Sequence, residues 1–258
     1  MPDSANAFFS ELARHVEGEA RERGLLTLLG NTAYSPSAER DYLAAFSDLR
    51  PRGILVATIS PERAMPVDRP RVFLHSAPDD TEPRVATDDE AAAAMAVRHL
   101  LDDGYTDIHC VTGPSSFGPA GLREAGWRRA MAEAHLDTAG RLHRMSFDRL
   151  AAERSLRELL AAESRPRAIF TTTDEQGIAA VRVASELGLR LPRDLAICGF
   201  DGIREALSGS VHLTTVAVPL HGLAVAALDA VDAIRAGETP HARILPSELR
   251  IGETCGPH

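Results

Sequence analysis

The sequence contains no lysine: all 28 of its Lys and Arg residues are arginine. That absence removes every chemistry requiring an ε-amino group, including Schiff bases, the phosphate-binding lysine of P-loop enzymes and serine–lysine nucleophile pairs. Aromatics are scarce at 5%, and the three cysteines, Cys110, Cys198 and Cys255, have no close spacing. Two of them lie inside apolar runs, so they read as small buried hydrophobes ahead of disulfides or zinc ligands. The ten histidines are scattered without ligand spacing, and no metal is expected. No apolar run approaches the roughly 20 residues of a membrane helix. The N-terminus lacks a basic segment followed by an apolar stretch, and a soluble cytoplasmic protein with no membrane partner is expected. GxSxG, HExxH, CxxC and GxGxxG are all absent, so neither catalysis nor a cofactor is expected.

The formal net charge is -9, with both signs dispersed along the chain. No arginine cluster is dense enough to form a phosphate-neutralising face, which makes this chain alone a poor DNA binder. What is present is ordinary globular material: 258 residues, 44% hydrophobic and 25% charged, enough for one large or two modest α/β domains.

Helical and strand periodicities alternate nearly throughout, the signature of a parallel sheet wound by crossover helices. The expected order is helix 8–22, strand 25–30, helix 38–49, strand 53–58, strand 71–74 and a polar, turn-rich stretch SAPDDTEPRVATDDE. A second series follows: helix 90–102, strand 108–112, helix 122–134, strand 142–145, helix 150–163, strand 168–172, helix 175–187 and strand 195–200. A short strand at 213–218, an Ala/Val-rich helix at 220–236 and the tail ARILPSELRIGET, read as one or two strands, complete the chain. Two βα runs thus meet near Asp88. The C-terminal residues are too few for a third domain and must rejoin both lobes, giving 1–88 plus 219–245 and 89–218 plus 246–258, with the crossings as a multi-strand hinge.

The stretch AIFTTTDEQGIAAVRVASELGLRLPRDLAICGFDGIREAL...LTTVAVPLHGLAVAALDAV resembles the effector-binding region of the LacI/GalR family of transcription regulators. FFSELARHVEGEARERG...LLGNT, DDEAAAAMAVRHLLDDGY and REAGWRRAM support the likeness, which covers nearly the whole chain in the right order. The resemblance implies a type I periplasmic-binding-protein-like fold: two parallel-sheet lobes with a ligand cleft between them. It also implies an N-terminal helix-turn-helix domain and a hinge helix, neither of which is in this sequence. In relatives a strand comes directly before the segment matching DSANAFFSELA, so the first strand is expected to be missing and an upstream strand and DNA-binding headpiece are expected ahead of Met1. The segment from Thr58 to Arg71 is shorter than relatives usually have, and a truncated helix is expected there.

Several candidate site residues follow from the resemblance. The arginine matching Arg123 contacts the effector, and a guanidinium fork suits two hydroxyl or carboxylate oxygens; the alternative is a solvent-facing helix arginine. Asp201, at the carboxyl end of LAICGF, either accepts vicinal hydroxyls or caps the following short helix. Asp174 is read equally as a ligand contact and as a helix cap. Thr173 stands where sugar-binding relatives often have Asn, and one hydroxyl replaces an amide, so the effector is not carried over. One of Phe8 and Phe9 stacks on a ligand ring while the other packs in the core. Phe147 lines the cleft, and Asp88 at the lobe crossing is either a contact or a solvated turn. Trp127 reads as core.

The expected function is ligand sensing: a small effector, a sugar or related metabolite, alters the operator affinity of the attached DNA-binding domain in a homodimer. The alternative is a stand-alone sugar-binding protein of a transporter.

Overall fold

The computed structural model describes residues 1–57, 69–75, 82–116 and 118–256. Its elements run α1 (Ala7–Glu22), α2 (Pro36–Asp48), β1 (Ile54–Ala57), β2 (Arg71–Leu74), β3 (Arg84–Thr87), α3 (Asp89–Asp102), β4 (Ile108–Thr112), α4 (Gly118–Glu133) and β5 (Leu142–Arg144). They continue as α5 (Arg149–Ala161), β6 (Ala168–Thr171), α6 (Asp174–Glu186), β7 (Ala196–Asp201), α7 (Arg204–Ser208), β8 (Thr214–Ala217), α8 (Leu220–Arg235), β9 (Arg243–Leu245) and β10 (Glu248–Arg250). The chain divides into two compact units. Unit 1 holds Met1–Thr87, the start of α4 at Gly118 and Pro119, and Pro219–Pro246; unit 2 holds the remainder, with Ser247–His258 as its last segment.

In unit 1 the sheet order is β1-β2-β3-β9, with every pairing parallel. Helix α1 starts at Asn6, whose side chain accepts the Phe8 N–H at 3.0 Å, and buries Phe8, Leu12 and Ala20 along one face. Leu43 of α2 packs with Ile54, Val56 and Phe73. Two expectations fail here. Leu25–Gly30, read as a strand, lies outside both sheets, because no described strand lies alongside to share its backbone hydrogen bonds. The polar stretch conceals β3, which pairs with β2 through Phe73↔Arg84 and Leu74↔Val85. The expectation of a truncated helix falls largely on 58–68, outside the described residues.

In unit 2 the order is β10-β8-β7-β6-β4-β5, parallel except for antiparallel β10. Strands β6 and β7 are buried at every residue, as central parallel strands covered on both faces must be. Cys110 and Cys198 lie buried in β4 and β7, Cys255 is buried in the C-terminal tail, and all three thiols are free. Trp127 is fully buried, and its Nε1–H donates to the Ile108 carbonyl at 3.2 Å.

Candidate functional site

In an open parallel sheet the carboxyl ends of the strands leave a crevice where connections diverge. In unit 2 that end collects Thr112 of β4, Thr172 and Thr173 after β6, and Asp201 closing β7. Helix α4 brings Arg123 to the same place, with a side chain 4% exposed. Its Nε donates to Asp89 Oδ2 at 3.1 Å, and its Nη1 donates to Asp201 Oδ1 at 2.8 Å and to the Thr172 carbonyl at 2.7 Å. The guanidinium carbon lies 3.8 Å from the centroid of the Phe200 ring, close enough for a cation–π contact. Among the described residues, Nη2 alone of the guanidinium nitrogens has no partner.

Burial works to lower the Arg123 pKa, but the charges of Asp89 and then Asp201 outweigh it and raise the value. Asp201 is pushed up to about 6, chiefly by burial; Arg123 opposes that rise, and the charge of Asp89 adds to it. Asp174 is raised well above the usual carboxylate range by burial first and by the charge of Asp201 second. Opposing that rise, the Thr215 hydroxyl donates to Oδ1 at 2.6 Å and the Ile203 N–H donates to Oδ2 at 2.9 Å, bonds that favour the ionised form. The group therefore sets one cation beside Asp201, with Asp174 close enough for the two raised carboxyls to influence each other. Asp201 carries a positive φ of 125°, rare for a residue with a side chain, and such strain gathers at binding sites.

The remaining candidates divide. Thr173 caps α6, its Oγ1 accepting the Gln176 N–H at 3.4 Å. Asp174 is the first residue of α6, and the cap is Thr173, so the Asp174 carboxyl is not the capping group. Phe147 is half-buried and lies over the carboxyl end of β4: a Cβ on Gly113 would stand 2.0 Å from its Cζ, so the ring needs a glycine there. Asp88 is exposed and caps α3, accepting the Ala91 N–H at 2.9 Å. Phe8 is buried in unit 1, 5.3 Å from the half-buried Phe9 edge-on and 5.3 Å from His75. The structure thus brings Arg123, Asp201, Asp174, Thr173 and Phe147 to one end of the unit 2 sheet and places Phe8 and Phe9 in the other unit. Sequence reasoning missed Asp89 and Phe200. Asp89 hides beside Asp88 in a run of acids, and only the one-residue step from cap to first helical turn turns it inward. The one available signal for Phe200 was its place beside Asp201.

Residues 97–255 match the periplasmic binding protein-like domain family. The chain is 31% identical over 227 residues to the HTH-type transcriptional repressor PurR of Vibrio campbellii, covering 85% of this chain and 68% of that protein. It is 32% identical over 235 residues to the ribose operon repressor of Escherichia coli K12, covering 88% and 71%. A solved putative LacI-family regulator from Sanguibacter keddieii superposes with a TM-score of 0.87 at 28% identity, over 98% of this chain and 95% of the other.

Proposed function

We propose, from the premise that this chain belongs to the LacI/GalR family of transcriptional regulators with a periplasmic-binding-protein-like effector domain, that it binds a small hydroxyl-bearing metabolite at the carboxyl ends of the unit 2 strands. Binding then sets the operator affinity of a helix-turn-helix domain in a cytoplasmic homodimer. The carrying observation is Arg123: a buried guanidinium fixed by Asp89, Asp201 and Thr172, with Nη2 open to a ligand. A fork held this way can donate to a ring hydroxyl while a neighbouring carboxylate accepts from the next one, which suits vicinal hydroxyls. The relatives are repressors, not enzymes, and this weighs against both catalysis and a transporter-bound role.

The effector class is best found by thermal shift across pentoses, hexoses, disaccharides, sugar phosphates, nucleobases and nucleosides. The ribose operon repressor among the relatives puts ribose first. A ligand at about 100 times its Kd should stabilise the fold by roughly 2.7 kcal/mol. Arg123→Lys retains the buried charge and loses the fork, so the shift should fall away while the unliganded melt survives. A ligand that stabilises wild type and Arg123→Lys equally binds somewhere else.

A further inference from the structure

The amino end of the unit 2 sheet gathers three side chains that no spacing in the sequence joins. Helix α3 ends with His99 in its last turn and Asp103 at its C-cap, four residues apart and so on one face. The C-terminal tail brings Cys255 to them, 156 residues from His99. Thr254 holds that tail in place: its carbonyl accepts the Ile197 N–H at 2.8 Å, and its hydroxyl donates to the Ile197 carbonyl at 2.7 Å. Ile197 stands near the start of β7 and Asp201 closes it, which separates the two by about 13 Å along the strand.

The three ligand atoms converge. His99 Nε2 lies 3.1 Å from Cys255 Sγ and 3.4 Å from Asp103 Oδ2, and all three atoms fall within 4.8 Å of one another. Tetrahedral ligands at zinc bond lengths stand roughly 3.4–3.6 Å apart, close to this spacing. Hydrogen bonding alone satisfies the group poorly. One ring nitrogen faces both other atoms, and Asp103 Oδ2 is itself buried and accepts no hydrogen bond among the described residues. Other buried carboxylates of this unit, Asp89, Glu124 and Glu153, each pair with an arginine. Asp103 has His99 as its one ion-pair partner among the described residues. A carboxylate so placed lacks a permanent cation. Cys255 is fully buried, and burial pushes its thiol up to about 11, so at neutral pH it is protonated and no nucleophile. The Thr214 hydroxyl bonded to it works the other way and favours the thiolate, as an outer partner of a metal ligand does. His99 and Asp103 keep 18% and 14% of their side chains exposed, which leaves a path from solvent.

We propose that His99, Asp103 and Cys255 bind a zinc-type divalent cation, with water at the fourth corner of a tetrahedron. One nitrogen, one sulfur and one carboxylate oxygen suit Zn²⁺ and its neighbours in the d-block over Mg²⁺ or Ca²⁺, which take oxygen ligands. Binding displaces the thiol proton to solvent, and the thiolate and carboxylate then balance the dication. The cation ties the C-terminal tail to α3 and adds to the stability of unit 2 by mass action. All three ligands belong to unit 2 and none touches the Arg123 group, so the proposal is independent of the effector reading.

The test titrates the reduced, metal-free chain with Co²⁺, whose thiolate complexes absorb in the near ultraviolet and whose tetrahedral complexes absorb strongly in the visible. One Co²⁺ per chain should bind with both bands, and Zn²⁺ should displace it. Cys255→Ser should lose the near-ultraviolet band, and His99→Gln and Asp103→Asn should each weaken Co²⁺ binding at least about tenfold. Cys198→Ala and His143→Asn should leave the bands unchanged. The second control matters because His143 Nε2 and His109 Nδ1, 2.8 Å apart, form another pair of imidazoles able to hold a cation, without a thiolate band. A wild-type chain with no thiolate band, a band that survives Cys255→Ser, or affinity unchanged in both His99→Gln and Asp103→Asn would each overturn the site. The first of these outcomes requires no variant to fold.

Discussion

Units 1 and 2 follow one architecture and complete it differently. In unit 2, β6 and β7 each lie between two parallel neighbours and are buried throughout. In unit 1, β1 borders a hollow, and the leucine-rich segment across it makes no sheet. The charges differ in the same sense. Unit 1 carries pairs at the surface, Arg23 with Glu19, Asp229 and Asp232, and Arg52 with Asp232. Unit 2 buries Arg123 with Asp89 and Asp201. Burying charge rarely adds stability over an apolar substitute, so its presence at a strand terminus in unit 2 points to use.

The largest effect should come from the buried cation. Arg123→Ala leaves two carboxylates without their partner and should cost about 3–5 kcal/mol, whereas Arg23→Ala among half-exposed partners should cost at most about 1 kcal/mol. Urea denaturation read by the Trp127 fluorescence checks both, and equal costs would erase the distinction.

Acidity comes next. The folded-state values of Asp201, about 6, and Asp174 lie above the ordinary carboxylate value, so folding takes up protons. The resulting stabilisation is fully present below the unfolded carboxylate range and is lost as pH rises through about 6. Asp201 alone should make unit 2 more stable at pH 5 than at pH 8 by about 1–1.5 kcal/mol. In unit 1, Asp232 is held low, mainly by its bond from Arg52; what it contributes is present above the ordinary value and disappears as pH falls below it. Amide exchange at the two pH values, corrected for the intrinsic rates, should show the opposite trends. A pH-independent unit 2 would mean that Asp201 and Asp174 are both ionised.

A smaller contrast lies in two glycines with nearly equal positive φ, 69° at Gly202 and 71° at Gly24. A Cβ at Gly202 would stand 2.5 Å from the Cα of Ala217, while at Gly24 nothing lies within 4 Å. Both alanine variants share the backbone penalty, and Gly202→Ala should exceed Gly24→Ala by about 1–3 kcal/mol from crowding. Melting of the two variants tests it.

These contrasts also mark how far the sequence could be read. Helices were legible because their signal is local: the apolar spacing of Phe9, Leu12, Ala13, Val16 and Ala20 suffices for α1, although the structure turns Phe8 inward and leaves Phe9 half-buried. The ends of β6 and β7 were legible for the same reason, and with them Asp174 and Asp201. Pairing is not local. LLTLLG has every local mark of a strand and remains outside the sheet, whereas RVAT, set among turn formers, becomes β3 because β2 and β9 lie on either side of it. The Arg123 network was half legible: a resemblance supplied the arginine, but its partner Asp89 becomes visible only when α3 and α4 are placed in space.

The smallest predicted effect is the most exacting for the comparison between the units. A side chain 99% exposed contributes almost nothing to stability, so Leu26→Ser in the present chain should change the unfolding free energy by no more than about 0.5 kcal/mol. A fully buried counterpart in unit 2, Leu156→Ser, should cost several times more, since it removes apolar volume and leaves a hydroxyl in the core. If Leu26→Ser were as costly as Leu156→Ser, something in solution would be covering Leu25–Gly30, and the contrast between the two units would fall.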